Sequence, residues 1–182
     1  MDHADHVALI RHGVEGAGPR WLELGAGEGA FTLALADVLG PAGAISSIDR
    51  DARALHVAAE ALAHRFPGTA VTTTTGDFTH ELPGGPFDGV LAANSLHFVR
   101  DRRAVLAAVR RALRPGGRLV VVEYHADAGN PWVPHPFSFD RWGREATAAG
   151  FDGVALLQRV PSRFLGAIYG AVAVSPRSTA GG

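Results

Sequence analysis

The sequence predicts a single α/β domain, a mainly parallel sheet with helices on both faces, closed by an antiparallel hairpin. Three observations predict it. Strand-like and helix-like segments alternate between residues 20 and 124, the pattern of β-α-β crossovers. A glycine-rich segment, Glu23-Leu24-Gly25-Ala26-Gly27-Glu28-Gly29, stands at the first strand-to-helix junction. Near the end, two strand-like runs at 153–160 and 164–174 are separated only by Pro161-Ser162-Arg163, too little chain for a helical crossover, so this pair must be antiparallel.

The elements follow in order. Arg20–Leu24 is a short apolar strand, and Ala30–Leu39 has helical spacing, with Phe31, Leu35 and Leu39 on one face until Gly40-Pro41 stops it. Residues 44–48 read as a strand and 51–66 as an alanine-rich helix that ends before Pro67-Gly68. Ala70–Thr75 is rich in β-branched residues, and Phe87–Ala93 follows a Pro/Gly turn. Residues 101–113 read as a helix capped by Asp101 and stopped by Arg114-Pro115-Gly116-Gly117. The next run, 118–124, is apolar almost throughout, as expected of a strand covered on both faces. Residues 125–138 form a long loop rich in proline and aromatics, 139–149 a helix. Residues 1–19 are expected to be a helical N-terminal segment, 20–174 the domain, and 175–182 a frayed tail.

Composition narrows the chemistry. With 47% hydrophobic and 19% charged residues the chain is globular in character, and its net charge of -1 gives no bulk attraction to nucleic acid or to an anionic membrane. All 17 basic residues are arginine, which excludes a lysine Schiff base or a phosphate-loop lysine. The absence of cysteine excludes disulfides, thiolate zinc sites and a thiolate nucleophile. The acidic start, Met1-Asp2-His3-Ala4-Asp5, lacks the cationic region of a secretory signal, so the expected location is the cytoplasm. The His/Asp pattern of Asp2, His3, Asp5, His6 and His12 fits a polar helix face better than a metal site, and no metal is expected.

Glycines 25, 27 and 29 permit tight turning and close approach of a ligand to backbone amides at a helix start. By itself such a loop serves dinucleotides as well. Asp49, twenty residues after Gly29, ends the second strand and can accept both hydroxyls of a ribose, because Asp51 is available to cap the following helix. Asp77 and Phe78 end the third strand, where a carboxylate can accept from an adenine amine while the ring packs on its face.

Taken in order, these pieces resemble the class I methyltransferases that use S-adenosylmethionine, small-molecule enzymes of the ubiquinone and menaquinone type among them. "LELGAGEGAFTLALA" resembles their first motif, "ISSIDRD" their second, "GDF" their adenine-site acid, "FDGVLAANSLHFV" their fourth strand and "LRPGGRLVVVEY" their fifth. The resemblance spans residues 20 to 174 and implies seven strands in the order 3-2-1-4-5-7-6, strand 7 antiparallel. It implies S-adenosylmethionine as cofactor, with Glu23, Gly25, Ala26 and Gly27 near its methionine end, Asp49 and Arg50 at the ribose, Asp77 and Phe78 at the adenine, and Asn94 and Ser95 where donor and acceptor meet. It does not extend to the large cap that many relatives place over the substrate, so the pocket is expected to be shallow or completed by another subunit in a homodimer.

The acceptor is expected to be a small molecule. His97, on the active-site edge after strand 4, is the candidate general base, since a base is needed wherever the acceptor must lose a proton. Tyr124 and His125 end strand 5 on the same edge, Trp132 and His135 sit in the proline-rich loop, and His6 lies on the N-terminal helix; these are the candidate acceptor contacts. Two other readings stay open on the sequence alone: a subunit that binds the cofactor without catalysis, and an NAD-dependent oxidoreductase using the same glycine loop.

Overall fold

The computed structural model describes residues 1–177. Seven strands form one sheet in the order β3-β2-β1-β4-β5-β7-β6. They are β1 (Arg20–Leu24), β2 (Ala44–Asp49), β3 (Ala70–Thr75), β4 (Phe87–Ala93), β5 (Leu113–Tyr124), β6 (Asp152–Ser162) and β7 (Gly166–Val174). Strands β1 to β5 pair in parallel, while β7 runs antiparallel to both β5 and β6. The three-residue gap between β6 and β7 leaves no other solution.

Alternation along each strand sends side chains to two separate cores. On one face, Leu22, Leu24, Val90, Ala92, Val121 and Tyr169 pack with helices α4 (Arg103–Ala112) and α5 (Phe139–Ala148). On the other, Trp21, Ile45, Leu91, Val120 and Val122 pack under α1 (His3–Val14) and α2 (Ala30–Leu39), with Leu62 of α3 (Ala52–Arg65) in the same cluster. Helix α1 lies very close to β7: a Cβ on Gly170 would sit 2.0 Å from the carbonyl oxygen of Leu9. The first turn of α1 is closed by a capping box in which Asp2 and Asp5 each accept from the other's backbone amide.

Several boundaries differ from the sequence reading. Strand β5 starts at Leu113 rather than 118, because Leu113 pairs with Phe87 and Gly116 and Gly117 bond to the backbone of Ser175 before the register shifts. Helix α4 starts at Arg103, two residues late. The carboxylate of Asp101 accepts the Arg103 amide at 3.1 Å, but the residue before the helix, Arg102, carries no side-chain cap. Residues 76–86 connect β3 to β4 without a helix, which leaves most of β3 exposed. Of the expected frayed tail, Ser175 is buried and paired to β5, and residues 178–182 lie outside the described residues. Among the described residues no helix is long and apolar enough to cross a membrane.

Candidate active site at the carboxyl edge of the sheet

Strand order reverses between β1 and β4, and a cleft of about 570 Å³ opens there, outside the carboxyl ends of the strands. Backbone geometry sets its floor. Gly25 has φ +71°, and a Cβ on it would meet that of Ser95 at 2.6 Å, so both the turn and the close approach require glycine. The Gly25 amide donates to the carbonyl of Ile48 at 2.8 Å, and the Gly27 amide donates to the Asp49 carboxylate at 2.8 Å, tying the glycine loop to β2. Asp51 caps α3 through the amides of Arg53 and Ala54. Asp49 is thereby released from capping; its carboxylate accepts the amides of Gly27 and Asp51, one on each oxygen, and each oxygen keeps further acceptor capacity toward the cleft.

Asp77 is held more tightly. The Thr79 hydroxyl and amide and the Arg50 guanidinium all bond its carboxyl, holding it down at about 2, well inside the ionised range. Glu23 stands behind the loop and is 1% exposed. Burial pushes its carboxyl up to about 7, against the hydrogen bonds it accepts from Thr32 at 2.6 Å and Ser47 at 3.0 Å. At the end of β4, Asn94 takes φ +52°, the one non-glycine residue in the left-handed region among the described residues. The side-chain oxygens of Asn94 and Ser95 are buried against the cleft with no protein partner. Unpaired buried oxygens are costly, and both have free capacity to bond a polar group in the cleft.

The acceptor side is built differently. His97 is 2% exposed, and its Nδ1 lies 2.8 Å from the Glu123 carboxylate, which is fully buried. Glu123 also accepts the backbone amides of Leu96 at 2.9 Å and His97 at 3.2 Å. One carboxylate thus fixes the turn after β4 and the imidazole together. Among the described residues Nε2 of His97 has no hydrogen-bond partner. The ring packs against Phe98, with Tyr124 beyond. Tyr124 touches Phe164 in the β6–β7 turn, and Phe164 touches Trp132.

The structure distributes the expected site residues as follows. Gly25, Gly27, Asp49, Arg50, Phe78, Asn94 and Ser95 line the cleft together, joined by Thr79, Phe98, Val99 and Arg100, which the sequence reading did not single out. Glu23, Ala26 and Asp77 lie just behind this lining. His6 packs on Phe31 at the start of α2, and its half-burial lowers its pKa. The Nδ1 of His125 accepts the Phe139 amide, and the His135 amide donates to the carbonyl of His97 at 3.0 Å, so both hold the loop around the acceptor side. Trp132 is exposed. Glu123 is the main residue missed; a lone carboxylate inside the apolar run of β5 was the available signal, since a buried charge demands partners. A second groove, between α4 and α5, is lined by arginines, by Asp101 and Glu145, and by small apolar residues.

Residues 22–119 match the methyltransferase domain family, more than half of the chain, and the chain belongs to that family. The C-methyltransferase UbiE of ubiquinone/menaquinone biosynthesis from Cellvibrio japonicus is 30% identical over 129 residues, covering 68% of this chain and 52% of that protein. A reducing polyketide synthase of Penicillium sp is 28% identical over 160 residues, 75% of this chain and 6% of that protein. The chain therefore spans about half the length of the quinone-pathway relative and a small part of the synthase. The crystal structure of YcgJ from Bacillus subtilis superposes with a TM-score of 0.78 at 16% identity, covering 97% of this chain and 100% of that one, a likeness of fold. The strand order with its reversed seventh strand separates the chain from the dinucleotide-binding order 3-2-1-4-5-6, which removes the oxidoreductase reading.

Proposed function

We propose that the chain transfers a methyl group from S-adenosylmethionine to a small-molecule acceptor that loses a proton as it is methylated. The buried His97–Glu123 pair beside the cleft carries this reading. When bound, S-adenosylmethionine supplies a methyl group already activated on a sulfonium. The unpartnered oxygens of Asn94 and Ser95 and the glycine-loop backbone fit its polar methionine end. The Asp49 carboxylate would accept from the ribose and Phe78 would pack on the adenine, while Asp77 with Arg50 closes that end of the cleft. Glu23, bonded to Thr32 and Ser47, keeps α2, β1 and β2 in register under the loop.

His97 takes the proton. A carboxylate on Nδ1 favours the tautomer with the proton there and leaves Nε2 as the accepting atom. The same carboxylate stabilises the imidazolium once formed, strongly so at a site closed to water. Tyr124, His125, Trp132 and His135 stand on the acceptor's side of the base, and His6 on the side of α2. The C-methyltransferase name of the Cellvibrio japonicus relative is consistent with a carbon acid as the proton-bearing acceptor.

Calorimetric titration with S-adenosylmethionine and with its demethylated product is the first test, with micromolar binding expected for both; binding of neither overturns the donor. Transfer of labelled methyl to a naphthohydroquinone then tests the base. His97→Ala is expected to retain donor binding and lose about 10²- to 10⁴-fold in rate, the usual contribution of a general base. An unchanged rate overturns that role.

A further inference from the structure

We infer that the rim beside the acceptor side docks on an anionic lipid surface. Among the large apolar side chains left exposed, three are aromatic, and all three stand on this one edge: Phe98 at 62%, Trp132 at 71% and Phe164 at 43%. They are linked, through His97 and Tyr124, by ring contacts of 4.3 to 6.3 Å. The other two tryptophans, Trp21 and Trp142, are both fully covered.

The exposure of Trp132 is built in. The Asn130 carboxamide oxygen accepts the amides of Trp132 and Val133, both at 2.9 Å, and the Asn130 amide donates to the carbonyl of Val133. Val133 is buried and anchors the turn, while Trp132 is turned outward. A ring that served only to fill the core would not be held out by its own backbone.

Charge selects the occupant. Arg100, Arg159 and Arg163 are exposed on the same edge and have no carboxylate partner among the described residues. Asp101, next to Arg100, is already engaged by Arg103, and Asp127, in the loop after β5, accepts the Ser138 amide. Arg159 bonds the His125 ring at 3.3 Å; aromatic rings that seek the headgroup level, flanked by guanidinium groups without a carboxylate partner, match the chemistry of an anionic bilayer surface. A near-neutral net charge does not oppose this, because screening confines the attraction to the local patch. A second copy of this chain seated on the same rim would set its own Arg100 and Arg163 against these, which disfavours it as the occupant.

The test uses the whole chain with sucrose-loaded vesicles of phosphatidylcholine, with and without phosphatidylglycerol. Because the other two tryptophans are buried, a blue shift of emission reports on Trp132. Co-sedimentation with the phosphatidylglycerol vesicles, a blue shift, and about tenfold weaker binding in Arg100→Gln/Arg163→Gln are expected. Phe98→Ala/Phe164→Ala, which keeps Trp132 as reporter, is also expected to weaken binding. Failure to sediment overturns the inference, as does binding without the emission shift or binding undiminished in both variants. Self-association in ultracentrifugation that Trp132→Ala abolishes, without vesicle binding, assigns the rim to a second copy and overturns it as well. These readouts need no methyl transfer, so they stand apart from the reaction proposed above.

Discussion

The two halves of the carboxyl edge solve different problems with different materials. The donor half, over β1, β2 and β3, is made of backbone amides, short polar turns and carboxylates that tie neighbouring loops together, Asp49 to Asp51 and to Gly27, Asp77 to Thr79 and to Arg50. The other half, over β4, β5 and β7, is made of a buried histidine–carboxylate hydrogen bond between residues 26 apart in sequence and of aromatic rings from three separate segments. A cofactor of fixed shape can be held by turns at the ends of neighbouring strands. A buried histidine needs a buried partner, here supplied by the adjacent strand.

That contrast can be broken most sharply at Glu123. Glu123→Ala leaves two amides and an imidazole unpaired in the core and is expected to lower stability by about 3–5 kcal/mol, read from urea unfolding. A change below 1 kcal/mol, on the order of a single surface hydrogen bond, would show that the two halves are equally tolerant.

Glu23 is expected to give the next largest effect, and one that depends on pH. Its carboxyl is raised from 4.5 to about 7 by burial, so the folded state holds a proton that the unfolded state has released. Its contribution is full below pH 4.5 and is lost as pH rises to about 7, a fall of about 3 kcal/mol. Urea midpoints followed across that window should decline in the wild type and stay flatter in Glu23→Gln. Parallel curves would remove Glu23 as the cause.

Asp49→Ala should act on binding rather than folding. Donor affinity by calorimetry is expected to weaken about 10- to 100-fold, the worth of hydrogen bonds to a charged group. The smallest effect is expected on the rim. Trp132→Ala should change stability by no more than about 0.5 kcal/mol, because the ring is exposed and its turn is held by Asn130. A larger loss would mean that the rim supports the fold.

Most of the fold was legible in the sequence for reasons that lie within each segment. A strand covered on both faces reads as an apolar run, as β5 does, and glycines 25, 27 and 29 declare a backbone that must turn tightly at a helix start. The length of the link between β6 and β7 alone required them to be antiparallel. Asp49 and Asp51 could be told apart because capping needs only one of them. Tertiary structure decided what depends on partners distant in the chain. Leu113 joins β5 because Phe87 and Ser175 bond and pair there, and α4 begins at Arg103, after a buried Arg102 that is clamped by Glu145 from α5. His97 stood out in the sequence by its place after strand 4, but its carboxylate partner, Glu123, came only from the tertiary structure. The sequence determined the sheet and the glycine loop, since propensity and turn chemistry act locally; the pairing of His97 with Glu123 was decided by burial, which no segment carries on its own.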